Sequence, residues 1–179
     1  MNWTIDGSHS LAEFSVKHMM VATVKGRFQN FSGNIVWDET NPANSSVEAT
    51  LEVSSITTND EKRDGHLASA DFFETEKYPT ITFVSKKVEA KSGEEFKVTG
   101  DLTMHGITKE VVLDVDYNGT GKNPWGMTVA GFSARTSVNR KDFGLNWNVA
   151  LEAGGMLVSE KINISLEIEA VAAPVEVTA

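Results

Sequence analysis

Apolar and polar residues alternate along most of this chain. From Ser46 to Val53 the apolar positions are Val47, Ala49, Leu51 and Val53, with Glu48, Thr50 and Glu52 between them. From Glu95 to Met104 they are Phe96, Val98, Gly100, Leu102 and Met104, and from Val158 to Ala170 they include Ile162, Ile164, Leu166 and Ile168. A period of two places one face of each segment in a core and the other in water, the pattern of antiparallel strands. Rougher alternation predicts strands over Ala12–His18, Phe31–Asp38, Thr80–Val88 and Glu110–Tyr117. Trp125–Val138 is strand-like with apolar residues on both faces.

Turn residues punctuate these runs. Asp38 to Asn44 (with Pro42), Lys91-Ser92-Gly93-Glu94, His105-Gly106, and Asn118-Gly119 followed by Lys122-Asn123-Pro124 all read as hairpin connections. Short strands joined by short turns fit an up-and-down barrel or a sandwich. Meander spacing and one long last strand favour the barrel. A single helical excursion is predicted over about 59–70. Thr58 and Glu61 have the spacing of a capping box, and Gly65 weakens the helix by about 1 kcal/mol. Phe72, Phe73 and Tyr78 cluster behind it, and the tail after Pro174 reads as loose.

The 179 residues are consistent with one domain spanning 1–179. At this length folding buries about 70% of the extended chain's surface, enough for a core without staples. The longest strictly apolar runs, Met19–Ala22 and Ala170–Ala173, are far too short to form a membrane-spanning helix. Formal net charge is −9, with no local basic patch beyond the pairs Lys86-Lys87 and Arg140-Lys141, which argues against a nucleic-acid partner. With no cysteine, thiolate chemistry, disulfides and Cys-ligated metals are excluded.

Catalytic and metal-binding patterns are sparse. His9, His18, His66 and His105 stand in no H-x-H or H-E-x-x-H spacing, so no metal site is expected. His9 and His105 fit turn hydrogen bonds, and His66, beside Arg63 and Asp64, fits a structural ion pair. His18 closes the face of Ala12, Phe14 and Val16 and points inward near a barrel mouth. Gly131-Phe132-Ser133-Ala134-Arg135 lacks the closing glycine of a nucleophile elbow. Gly119-Thr120-Gly121 precedes no helix, which removes a dinucleotide loop. Asp114 and Asp116 alternate outward as a solvated face. No catalytic residue and no cofactor is assigned. Asn30-Phe31-Ser32 and Asn44-Ser45-Ser46 match glycosylation triplets by composition alone.

The barrel interior is the remaining site. Gly33, Ala49, Ser85, Gly100 and Gly131 fall on apparently inward faces, where small residues leave a lumen; the alternative is that the glycines mark bends or bulges. On the lumen reading, Gly100→Leu keeps its stability and shortens the channel.

Taken together, several strings resemble the YceI-like family of lipocalin-like, polyisoprenoid-binding proteins. They are Trp3-Thr4-Ile5-Asp6 with His9-Ser10, Phe14-Ser15-Val16-Lys17-His18-Met19, Gly26-Arg27-Phe28, Arg63-Asp64-Gly65-His66-Leu67 and Ala70-Asp71-Phe72-Phe73 leading to Tyr78-Pro79 and Phe83. Gly100 to Lys109 and Asn139-Arg140-Lys141-Asp142-Phe143-Gly144 complete the set, which runs in order from Trp3 to Val171. The resemblance implies an all-β, extended antiparallel lipocalin-like barrel holding a long isoprenoid or related lipid, such as a polyprenyl phosphate, an isoprenoid quinone or a fatty-chain amphiphile. It also implies a non-catalytic carrier, often a homodimer. The missing leader sets the expected location as the cytoplasm, or the periplasm or exterior had a signal been removed. Periodicity names Phe14, Phe28, Phe31, Ile35, Leu51, Phe83, Leu102, Phe132, Ile164 and Leu166 as lining. His18, Arg63, His66 and Arg140 are the candidates for a polar head group. Two competing expectations are an enzyme using His18, His66 or Asp64 as acid or base, and a stress-related scaffold without an obligatory ligand.

Overall fold

A barrel has no free edge only if its last strand returns to its first, and this one does. The computed structural model describes residues 1–152 and 154–174; the tail expected to be loose lies outside the described residues. In chain order the elements are β1 (Asn2–Ile5), β2 (Leu11–His18), β3 (Ala22–Phe28), β4 (Phe31–Val36), β5 (Ser46–Glu52), β6 (Ile56–Thr57), α1 (Glu61–Ala68), β7 (Thr80–Ser92), β8 (Glu95–Met104), β9 (Ile107–Lys122), β10 (Thr128–Asn139) and β11 (Val158–Ala172). β1 and β2 both lie against β11, through Ile5↔Ala170 and Leu11↔Glu167, so they form one interrupted strand. β3 with β4, and β5 with β6, are likewise two halves of one strand. The result is a closed eight-stranded antiparallel barrel, all-β and lipocalin-like.

The three interruptions line up as a crease across neighbouring strands. A 3-10 turn over Gly7–His9 breaks the first, Gln29-Asn30 the second, and a 3-10 turn over Val53–Ser55 the third. Gln29 N–H donates to the Ser55 carbonyl at 3.1 Å, and Asn30 N–H donates to Ser55 Oγ at 3.0 Å. Below the crease β6 pairs with β3, while β7 joins β5 only from Glu52↔Thr80. Residues 58–79, including α1, fill the wall at that place. Asp60, not Thr58, is the helix cap, accepting from Lys62 and Arg63 N–H at 3.1 Å each. Thr58 serves instead as an anchor, donating backbone N–H and hydroxyl to Asp64 at 2.9 and 2.5 Å.

Two expected features are corrected. Asn118-Gly119 is no hairpin turn: β9 runs through it to Lys122, and the turn is Asn123–Met127. Gly119, at φ 104°, sits beside a register shift between Gly131 and Phe132, the bulge chemistry that glycine permits. The small inward residues do not, as a set, leave open space. A Cβ on Gly33 would lie 2.8 Å from the Ile5 side chain, and one on Gly100 would lie 2.5 Å from the Phe83 ring and 2.6 Å from the Val84 carbonyl. Ser85 spends its hydroxyl on Val47 N–H at 2.9 Å, Gly131 faces outward between Ala130 and Phe132, and of the five only Ala49 lines a cavity. β3 escaped sequence detection because one inward position is Gly26, covered by the Phe14 ring.

Phe83 and a backbone oxygen therefore bar side chains at Gly100. We expect Gly100→Ala to lose about 1–3 kcal/mol in urea unfolding, and Gly100→Leu more, because the nearest obstacle includes main chain. Parental stability for Gly100→Leu would show that Phe83 leaves this site in solution.

Candidate functional site

The inward faces of the barrel strands enclose an elongated cavity of about 280 Å³. It reaches from Met104 near one barrel end to Phe96 near the other, both on β8. That separation is roughly 26 Å along the strand at ~3.3 Å per residue. Only Glu13, Ser45, Ser46, Thr136 and Arg140 among its lining residues are polar. Phe14, Phe28, Phe31, Ile35, Leu51, Phe83, Leu102, Phe132, Ile164 and Leu166 all line it, as does Arg140. Alternation points to much of this wall, because alternate Cβ atoms of a strand share a face.

Arg140 apart, lining residues from outside the strands were not foreseen. Leu67 of α1, with Phe72 and Phe73 after it, reaches the cavity and packs where β6 and β7 diverge. Phe28 meets Phe73 edge-on, ring centres 6.2 Å apart. The aromatic cluster before Pro79 was the available signal. At the opposite end Trp37 lines the cavity, stacked edge-on against Phe96 at 5.0 Å and Phe132 at 5.6 Å. Trp37 lies one residue beyond β4 and continues the alternate face of Phe31 and Ile35, a signal that the expected lining set did not use.

Three of the four head-group candidates lie outside the cavity wall. His18 shares the face of Phe14 and Val16 but ends the strand beyond the lining. Arg63 donates from Nε to Thr58 Oγ1 and from Nη2 to the Thr58 carbonyl, both at 2.8 Å. His66 Nε2 pairs with Asp71 Oδ2 at 2.8 Å, and its ring meets Trp147 and Phe72 edge-on. Arg63 and His66 thus bind the excursion to itself.

Arg140 is different. Only 2% exposed, it sits just after β10 at the α1 end of the cavity. Nη1 donates to the carbonyls of Leu145 (2.6 Å) and Trp147 (2.9 Å), Nε to Ser159 (2.9 Å) and Nη2 to Val158 (3.2 Å). The guanidinium thereby clasps both stems of the 146–157 segment. Burial holds its pKa below the ordinary value, opposed by the Glu160 charge. Five N–H donors meet four carbonyls, so the cation keeps donor capacity beside an apolar space.

One cluster assembles that spacing did not reveal. Ligand atoms of Asp6, His9 and Glu169 lie within 4.8 Å of one another on the barrel seam. His9 Nδ1 already pairs with Asp6 Oδ2 at 2.8 Å, in keeping with a turn hydrogen bond. Ser8 hydroxyl and then His9 pull the Asp6 pKa down to about 2, and the same contact raises that of His9 above 6.5.

Eight antiparallel strands around an apolar lumen define a lipocalin-like binding barrel. The model of the YceI-like domain matches residues 3–170, and the chain belongs to that family. A UPF0312 protein of Staphylococcus aureus (strain MSSA476) is 43% identical over 169 residues, 94% of this chain and 96% of its own. The Campylobacter jejuni YCEI protein is 33% identical, with a TM-score of 0.76 over 88% of this chain and 90% of that one. A polyisoprenoid binding domain from Saccharophagus degradans shares the fold at 16% identity, with a TM-score of 0.69 over 96% of this chain and 98% of that one.

Two measurements check the geometry. Arg140→Met strips four buried carbonyls of their donor; at about 1–3 kcal/mol per unmet group, with partial recovery by water, we expect a net loss of about 2–4 kcal/mol in urea unfolding. Asp6 contributes stability above pH 3.8 that is lost as pH falls toward 2, and His9 contributes below pH 6.5 and loses this as pH rises through its raised pKa. By NMR, His9 should titrate above 6.5, and Asp6→Asn should return it toward 6.5 and flatten the acid limb. Titration of parental His9 at 6.5 would show the contact open in solution.

Proposed function

We propose that this protein binds and carries a long apolar lipid of isoprenoid type in the barrel lumen, without chemical turnover. The observation that supports it is the elongated cavity, lined by apolar side chains along its length and by a buried guanidinium at one end. A chain burying ten methylene-sized units gains roughly 8 kcal/mol gross at ~0.8 kcal/mol each, from which the cost of ordering both partners subtracts. No specific polar contact is needed along such a chain. The Saccharophagus degradans domain, described as polyisoprenoid binding, supports the same ligand class. The spare donor capacity of Arg140 favours a phosphate or quinone oxygen at the α1 end. Holding of His66 by Asp71 and of Asp64 by Thr58 supports the non-catalytic reading, since both groups are committed to structure.

Organic extraction of the purified protein followed by mass spectrometry is expected to yield a long-chain lipid at near-stoichiometric amount. A clean extract, together with no uptake of added polyprenyl compounds, would overturn carriage. Ala134 lines the cavity and pairs with Val115 and Leu166. We expect Ala134→Phe to cost no more than about 1–3 kcal/mol while shifting preference from long to short prenyl chains. An unchanged chain-length ranking would place the cargo elsewhere.

A further inference from the structure

The β2–β3 hairpin turns through His18-Met19-Met20-Val21, closed by Val21 N–H donating to the His18 carbonyl at 3.2 Å. Met19 and Met20 both take left-handed backbone, with φ of 52° and 65°. Two consecutive left-handed residues make the turn that normally selects Asn-Gly, because a Cβ in that region crowds the following carbonyl. Burial does not offset the strain. Met19 is 47% exposed, Met20 61% and Val21 82%. A strained pair that also presents apolar surface to water is unfavourable on both counts for folding, which points to a role outside it.

The 146–157 segment widens the patch. Met19 N–H donates to the Leu157 carbonyl at 2.8 Å, and a Cβ on Gly155 would lie 3.2 Å from Met20 Cγ. Val149 and Met156, both exposed, belong to the same segment, joined there by Leu157 N–H donating to the Val149 carbonyl at 2.8 Å. Just inward, Val16 and Val158 line the cavity, so this apolar rim adjoins the lumen's end.

Charge selects the partner. The chain carries −9 overall, yet Phe14 to Trp37 contains no carboxylate, while Lys17, Lys25 and Arg27 stand on the two hairpin strands. Lys17 Nζ donates to Thr23 Oγ1, and Lys25 reaches Glu13 at 3.9 Å, at the far end of the hairpin from the tip. On the facing elements Glu160 is paired with Lys141 at 2.8 Å, and Glu152 is the one acidic residue of the 146–157 segment. Apolar side chains at a tip with Lys17 just behind them, and no carboxylate on the hairpin strands nearer than Glu13 at their far end, match an anionic lipid surface, where the chains enter the acyl boundary and the cation meets headgroups.

We propose that the rim formed by Met19, Met20, Val21, Val149 and Met156 docks on an anionic lipid bilayer, where cargo enters or leaves the lumen. The docking role stands on the rim itself; the loading role rests on the carrier reading. The test is flotation of the full chain with vesicles of phosphatidylcholine alone or with added phosphatidylglycerol. The variants are Met19→Asn with Met20→Gly, and Val21→Asp. We expect the parent to float with the anionic vesicles, and both variants to bind at least tenfold more weakly. The double variant should also melt a few degrees higher, because Asn-Gly relieves the turn, and should take up prenyl chains delivered in detergent as the parent does. A parent that ignores vesicles, or variants that bind equally, would overturn the proposal. Loss of a dimer in the variants, without any vesicle binding by the parent, would assign the rim to contact between copies. Vesicle binding with no uptake of prenyl chains by any of the proteins would overturn carriage and leave docking intact.

Discussion

Everything inside this barrel depends on the seam where β11 meets both halves of the first strand. Ala170, Val171 and Ala172 pair with Ile5, Thr4 and Trp3, while the earlier part of β11 pairs with β2. Between the two, the chain must bridge the break at Gly7–His9 without losing register. Asp6 N–H donates to the Glu169 carbonyl at 2.8 Å, and Ser10 Oγ accepts from Glu169 N–H at 2.9 Å while donating to the Glu169 carbonyl at 3.3 Å. Glu169 is thus gripped from both sides of the interruption. An unpaired edge here would open the lumen to water and leave a template for aggregation. The fully buried Ala170 lets Trp3 and the aromatic cluster around Trp37 pack directly against the seam.

The crease explains how eight strands make a long tube without long uninterrupted hairpins at the start of the chain. Each early strand bends where a 3-10 turn or a two-residue break occurs, and the second and third breaks hydrogen-bond to one another. The wall that this bending opens between β6 and β7 is closed by α1 and the aromatics after it. A second element, the 3-10 turn Arg140–Phe143, packs Phe143 and Leu145 beside Met104 and Val138, where the β9–β10 ladder ends at Arg135↔Asp114. Two short plugs therefore complete one barrel end.

Alternation carried the sequence reading of the wall. Phe14, Leu102 and Ile164 were recognisable because their orientation is local, set by the strand itself. The emptiness of the interior was not local. Gly33 and Gly100 were right about direction and misleading about space, since what covers them, Ile5 and Phe83, comes from other strands. The same limit affected the polar residues. Arg63 and His66 have the charge or hydrogen-bonding groups suited to a head group, but nearby Thr58 and Asp71 capture them, while Arg140 looks identical in sequence and ends buried. The Asp6–His9–Glu169 grouping needs residues from both ends of the chain, so no motif spacing could announce it.

Arg140 gives the 146–157 segment a fastening of an uncommon kind. A guanidinium keeps its proton throughout the range in which carboxylates and imidazoles exchange theirs. Its acceptors are carbonyls, which do not titrate at all. The grip on Leu145, Trp147, Val158 and Ser159 is therefore blind to acidity, whereas the Asp6–His9 pair on the seam feels it at both extremes. One barrel thus holds two fasteners, an acid-sensitive one on its side and an acid-insensitive one at its end, and a shift in ambient acidity would loosen the stave before the lid.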